Sequence, residues 1–179
     1  FRAFMGRIES GLLKVNDKIK VLPSGYESKV IEIRVGDELI NEAIPEQSVT
    51  VSLSDEIDIS RGDMLVHQND SINAVKGFSA MVCWFAEVPL SLSRTYLIMH
   101  TTRISKVKIT QIHHKINIQS LEMEKAETLK TNDIAQLSFK LAQPLIVDSY
   151  DENRSTGAFI IIDESTYHTV GAGMIQSIA

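Results

Sequence analysis

Residues that alternate one by one between apolar and polar constrain this chain most. Val49, Val51 and Leu53 alternate with Ser48, Thr50, Ser52 and Ser54. Ala135, Leu137, Phe139 and Leu141 alternate with Gln136, Ser138 and Lys140 in the same way. Successive side chains of a strand point to opposite faces, so a period of two puts one wall in a core and the other in water. Lys18–Leu22 and Ser28–Val35 flank Pro23-Ser24-Gly25, which reads as strand–turn–strand with Pro at the second turn position and Gly at the fourth. Met81–Phe85 is apolar on both faces, as in a central strand or one covered by another domain.

The C-terminal stretch reads as two strands joined by a polar loop. Phe159–Ile162 is an apolar, β-branched run, and Gly171 and Gly173 alternate with Ala172 and Met174. Glycines so placed suit a strand that a neighbour approaches closely or that bends at a barrel corner. Only Ser120–Lys130 carries a helical pattern, and its Glu122, Glu124, Lys125 and Glu127 equally suit a long acidic loop.

These elements predict an all-β chain of two consecutive β-barrels. Many short strands with frequent turns favour closure, which leaves few exposed edges. Gln68-Asn69-Asp70-Ser71 is polar and turn-rich, and new strands begin after Gly77. A smaller barrel is expected over 1–70 and a larger one over 76–179. Apolar residues make up 44% of the 179, enough for packed cores. No apolar run approaches a membrane span, and the single Cys83 excludes an internal disulfide, so a reduced, cytoplasmic setting is expected. The first residue is Phe1 rather than Met, as expected for a piece of a longer protein.

The motifs of several enzyme classes are missing. There is no Gly-x-x-x-x-Gly-Lys-Ser/Thr loop, Gly-x-Gly-x-x-Gly, Cys-x-x-Cys, His-Glu-x-x-His or Gly-x-Ser-x-Gly. No catalytic, cofactor-binding or metal-binding residue is assigned in this chain. His113 and His114 are adjacent on a strand and point apart, so they do not readily share a metal, while His67, His100 and His168 are isolated. Cys83 lies between Val82 and Trp84, as a buried inert thiol would. Arg103, Lys106, Lys108 and Lys115 form the one basic stretch, but aromatic residues do not interleave with them as a stacking platform requires. With a net charge of −5, a solvated strand face is the expected role and nucleic-acid binding is not expected. Arg61-Gly62-Asp63 reads as a turn entering a strand at Met64–His67.

Three blocks resemble one family. Phe1-Arg2-Ala3-Phe4-Met5-Gly6-Arg7-Ile8-Glu9-Ser10-Gly11 with Val15-Asn16-Asp17 resembles the opening of the second domain of elongation-factor-Tu-like GTPases. Asn16 stands where that family has Gly, and Asn tolerates the left-handed conformation that Gly adopts. Asp55-Glu56-Ile57-Asp58-Ile59-Ser60-Arg61-Gly62-Asp63 is similar to the large, GTP-binding subunit of sulfate adenylyltransferase. So is Asn153-Arg154-Ser155-Thr156-Gly157 followed by Phe159-Ile160-Ile161-Ile162-Asp163.

The resemblance implies an N-terminal GTPase domain followed by two barrels, of which this chain holds the barrels. It implies a first barrel without the strand that the family carries upstream. GTP and Mg2+ would bind the preceding domain, and none in this chain. The partners would be that domain and a small catalytic subunit making adenosine 5′-phosphosulfate from ATP and sulfate. The other reading is the tRNA- or ribosome-binding barrel pair of a translation-factor GTPase, since the C-terminal glycine-rich strand also resembles the third barrel of elongation factor Tu.

Interface candidates are Asn153, Arg154 and Thr156, with Arg61 and Asp63. A polar loop held at both ends by core strands, expected at Leu145–Val147 and Ala158–Ile162, is a platform for binding residues. The competing role is internal: Asn153 and Thr156 satisfying turn backbone, with Arg154 paired to Asp151.

Overall fold

The computed structural model describes residues 2–72 and 74–178. The chain divides into two compact units, Phe1–Asn73 and Ala74–Ala179. Both are built of strands, and no helix occurs among the described residues.

The first unit contains β1 (Phe4–Arg7), β2 (Leu13–Lys14), β3 (Lys18–Leu22), β4 (Glu27–Val35), β5 (Glu38–Ile40), β6 (Glu42–Ala43), β7 (Ser48–Leu53) and β8 (Met64–His67). Its main sheet runs β1-β7-β4-β3-β8, with β5 on β4, while β2 and β6 pair separately. Among the described residues no ladder joins β1 to β8, so this sheet keeps two free edges. It curls around Ile19, Val21, Val30, Ile33, Val49 and Val51, all buried. Asn16 has φ +80°, and its N–H donates to the carbonyl of Val30 at 2.8 Å. The short amide side chain lets Asn hold that left-handed turn, as expected for a Gly-like position. The turn at Pro23–Gly25 contains a cis Leu22–Pro23 bond and closes through Gly25 N–H on the carbonyl of Val21, one residue wider than a four-residue turn.

The second unit contains β9 (Val75–Trp84), β10 (Thr95–His100), β11 (Arg103–Ile116), β12 (Met123–Glu124), β13 (Ile134–Leu145), β14 (Ala158–Asp163) and β15 (Thr169–Ile178). The order β10-β14-β15-β9-β13-β11 closes on itself because β11 also pairs β10, which makes a six-stranded barrel without free edges. β9 lies between β15 and β13, so the run apolar on both faces is a central strand. Its Phe78, Ala80, Val82 and Trp84 point into the core. There Phe78, Phe139 and Phe159 meet with centroids 5.2–5.3 Å apart. Each such pair adds about 0.5–1.5 kcal/mol beyond burial.

The glycines of β15 make room for that core. A Cβ on Gly173 would lie 2.3 Å from the Phe159 ring, and one on Gly171 would lie 3.0 Å from the carbonyl of Cys83. The close approach expected from the glycine spacing is present.

One open reading is decided and one strand bound differs from expectation. Ser120–Lys130 holds no helix: it is loop apart from the short β12, which pairs with the end of β11. Its charged residues bring no apolar stripe to bury, and packing of such a stripe is what stabilises most short helices. At Leu145–Val147 the strand β13 ends at Leu145, and Val147 is buried from an irregular segment.

Candidate functional site

The Asn-Arg-x-Thr-Gly segment leaves β13 and returns into β14, and its own polar groups fix it. Asn153 is the hub. Its Oδ1 accepts the N–H of Ser155 at 2.9 Å and of Thr156 at 3.3 Å, and its carbonyl accepts Gly157 N–H at 2.8 Å. This is an Asx turn, in which a side-chain amide replaces a backbone acceptor. Thr156 is buried, and its hydroxyl donates to Asp148. His100, 1% exposed at the end of β10, reaches the carbonyl of Thr156 at 2.6 Å through Nε2. A carbonyl only accepts, so that nitrogen carries the proton.

Gly157 is dictated by space. A Cβ there would stand 2.4 Å from the Cα of Tyr150 and 2.7 Å from the carbonyl of Asn153. The loop is tied sideways to β15, with Tyr150 N–H on the carbonyl of Ile175 and Ile175 N–H on the carbonyl of Gly157, both at 2.8 Å. The resulting platform leaves Arg154 exposed, with no hydrogen bond or ion pair among the described residues. The pairing of Arg154 with Asp151 that would make it an internal strut is not formed. Asn153 and Thr156 do satisfy turn backbone, so the loop is structurally sound and still presents a free guanidinium. His100 and Asp148 were not singled out for this loop from sequence. His100 lies 56 residues from Thr156 along the chain, and only the closed barrel brings it there.

Arg61 and Asp63 belong to the other unit. Ser60 N–H donates to the Asp63 carboxylate at 2.9 Å, Asp63 N–H donates to the carbonyl of Ser60, and Gly62 takes φ +93°. The turn feeds β8, as expected, and Arg61 is exposed.

The basic stretch lies on β11 with Lys106 and Lys108 facing out and Val107 and Ile109 buried. Lys106 pairs with Glu164 at 2.5 Å, which raises its pKa through that hydrogen bond and charge. Lys115 lies 3.5 Å from Asp133 and 3.9 Å from Glu124. Much of the positive charge is therefore answered locally. His113 donates to or accepts from Ser138 at 2.7 Å. Burial pushes the Cys83 thiol up, away from the reactive thiolate.

The hairpin between β14 and β15 carries a carboxylate held by several hydrogen bonds. Asp163 is buried and accepts the N–H groups of Thr166 and Ser165, both at 2.9 Å, with Arg94 at 2.7 Å. The Thr166 N–H leads the causes that hold its carboxyl below the usual range, against a desolvation penalty.

The resemblance places GTP and Mg2+ in a domain preceding these residues, not among them. The chain has no phosphate-cradling glycine loop, and no described cluster of three or more His, Cys, Asp or Glu could hold a metal ion.

Comparison with known proteins covers both units. Over 177 residues the chain is 44% identical to sulfate adenylyltransferase subunit 1 of Shewanella woodyi, spanning 99% of this chain and 38% of that protein. The protein of the same name from Saccharophagus degradans is 41% identical, and that from Bacteroides fragilis 39%, each over 98% of this chain and 37% of its own length. The chain thus spans less than two-fifths of the curated relatives it matches. Among solved structures, sup35 complexed with GDP superposes with a TM-score of 0.89 at 19% identity, covering 99% of this chain and 44% of that one. At that identity the likeness shows the shared fold alone. The family model described as GTP-eEF1A C-terminal domain-like matches residues 77–176, the closed barrel with all its strands but the margins, and the chain belongs to that family.

Proposed function

We propose that this chain is the two-barrel portion of a sulfate adenylyltransferase large subunit, a protein that couples GTP hydrolysis to formation of adenosine 5′-phosphosulfate by a small catalytic subunit. One observation carries the reading: identity of 39–44% along nearly the whole chain to proteins of that name. Such similarity across both units exceeds what a shared barrel fold requires, as the 19% identity of sup35 at a TM-score of 0.89 illustrates.

GTP and Mg2+ bind a GTPase domain that precedes these residues, and the whole works in the cytoplasm. The barrels then react with nothing. Nucleotide-dependent movement of switch segments shifts rigid bodies docked on them, and the shift reaches the small subunit. Coupling of this kind needs each nucleotide state to contact the barrels differently. The Asn153–Gly157 platform suits such a contact: the Asn153 side chain and the flanking backbone bonds hold it, and Arg154 is exposed for a carboxylate across an interface, which its planar fork can bind with two hydrogen bonds.

The test is to express the complete protein together with the small catalytic subunit. Adenosine 5′-phosphosulfate formation from ATP and sulfate is then measured with and without GTP. Stimulation by GTP, absent with a non-hydrolysable analogue, supports the proposal. A complete protein that forms no complex with that subunit, or instead binds aminoacyl-tRNA tightly at physiological salt, contradicts it.

A further inference from the structure

The first unit carries a hollow of about 390 Å³ beside a bulge in β4. Val30 pairs with Leu53 and Glu32 with Ser52, so Ile31 is the extra residue of the bulged strand. A bulge re-aims side chains, and Ile31, 54% exposed, lines the hollow together with Glu32. Phe4 and Leu53 add apolar surface. Arg2 lies along one side, its guanidinium 5.6 Å from the Phe4 ring centroid and paired with Asp58 at 2.7 Å.

Two features of the lining point to an occupant. Ser52 is 5% exposed, and its hydroxyl makes no hydrogen bond among the described residues. A hydroxyl taken out of water without a partner costs free energy. No described side-chain oxygen is both sealed from solvent and unbonded, so this hydroxyl opens onto the hollow that Ser52 lines. The second feature is charge. Glu32 is answered by Arg34 at 2.6 Å and Asp58 by Arg2, whereas Asp55 and Glu56 form no ion pair among the described residues. Asp55 Oδ2 accepts the hydroxyls of Ser28 at 2.7 Å and of Ser54 at 2.8 Å, which hold its carboxyl below the usual range. Hydroxyls rather than a cation keep it ionised, and its Oδ1 accepts no hydrogen bond among the described residues. Glu32, Asp55, Glu56 and Asp58 outnumber Arg2, Arg34 and the nearby Lys29.

We propose that this hollow is a binding site for one guanidinium or primary ammonium group on a short apolar stem. The cation donates to Asp55 Oδ1 and to the Ser52 hydroxyl, Glu56 adds charge, and the stem packs on Ile31 and Leu53. A charge-assisted hydrogen bond to an ionised carboxylate is stronger than a neutral one, and an alkyl stem covers apolar surface while its head stays on polar groups. The site is independent of the functional reading above. Its cation comes either from a free amine or from an arginine or lysine side chain.

The test follows the Ile31 methyl group by NMR in the complete protein, labelled at isoleucine methyls and assigned through Ile31→Val. Three probes are titrated: agmatine, its uncharged urea counterpart N-carbamoylputrescine, and a capped tripeptide with arginine at its centre. Probes of so few atoms are expected to bind in the millimolar range. The expected result is a saturable shift of the Ile31 methyl with agmatine and none with the urea. Saturation by the tripeptide as well identifies a side chain as the source, and saturation by agmatine alone a free amine. Asp55→Asn with Glu56→Gln, in which Asn keeps an oxygen for Ser28 and Ser54, should raise the agmatine Kd about tenfold or more. Ser52→Ala should raise it severalfold with an unchanged thermal midpoint, and it decides the matter if the double variant loses stability. No saturable shift with either cation overturns the proposal, whether the hollow is covered in the complete protein or takes no cation. An equal response to the urea, or a Kd that Ser52→Ala leaves unchanged, also overturns it.

Discussion

Gly157 shows how tightly single positions are set in this molecule. The 2.4 Å that a Cβ would leave to the Cα of Tyr150 is backbone against side chain, and no rotamer relieves it. Gly157→Ala should destabilise the second unit by about 3 kcal/mol or more, read as a shift of the urea midpoint. Arg154, three residues earlier, is the opposite case. It has no partner among the described residues, so Arg154→Ala should change stability by less than about 0.5 kcal/mol. In the complete protein the same substitution should weaken GTP-stimulated sulfate activation. A lowered melting temperature without loss of stimulation would make Arg154 a structural residue instead. Asp163 sets a pH dependence. Its carboxyl is held low in the folded state, so the folded form resists protonation that the unfolded chain accepts at about pH 4. The stability it contributes is present above that pH and is lost as pH falls below it. Asp163→Asn should therefore be less stable than wild type at neutral pH, and the gap should narrow in acid. A gap that stays constant down the titration would refute the role given to that carboxylate.

At the scale of elements, strands were legible wherever alternation was strict. Lys18–Leu22 and Met64–His67 match their observed bounds, and Ser48–Ser54 differs by one residue. Lys18–Leu22 and Ser48–Leu53 bury one wall, which a one-residue slip would expose, so pattern and structure must agree there; Met64–His67, half-buried throughout, is marked instead by the turn that enters it. The Ser120–Lys130 segment was ambiguous because charge without an apolar stripe does not choose between helix and loop. The tie of His100 to the Asn153 loop was not legible at all. It depends on register between strands distant in sequence, and local pattern carries no register. The basic face of β11 illustrates the same gap. The sequence shows the cations, while Glu164, Asp133 and Glu124 arrive from elsewhere to pair with them. Binding of tRNA should accordingly be weak and should fall steeply with added salt. Filter binding that stays tight at physiological salt would contradict that.

For the whole molecule, two cores with separate sheets make two compact units. The buried His100 and Thr156 tie the Asn153 loop to the barrel through the Thr156 carbonyl and Asp148. The function proposed places Arg154 and its platform at a contact surface. A fold shared with sup35 at 19% identity does not carry such surfaces with it, because barrels keep their cores under very different exteriors. This separates fold from family in one measurement. The two barrels of the complete protein are exchanged for the superposable pair of a translation factor. GTP hydrolysis and adenosine 5′-phosphosulfate formation are then followed with the small subunit present. The account predicts that GTP hydrolysis persists while its stimulation of adenosine 5′-phosphosulfate formation is lost. Stimulation that survives the exchange would contradict it, since any barrel pair of this fold would then serve.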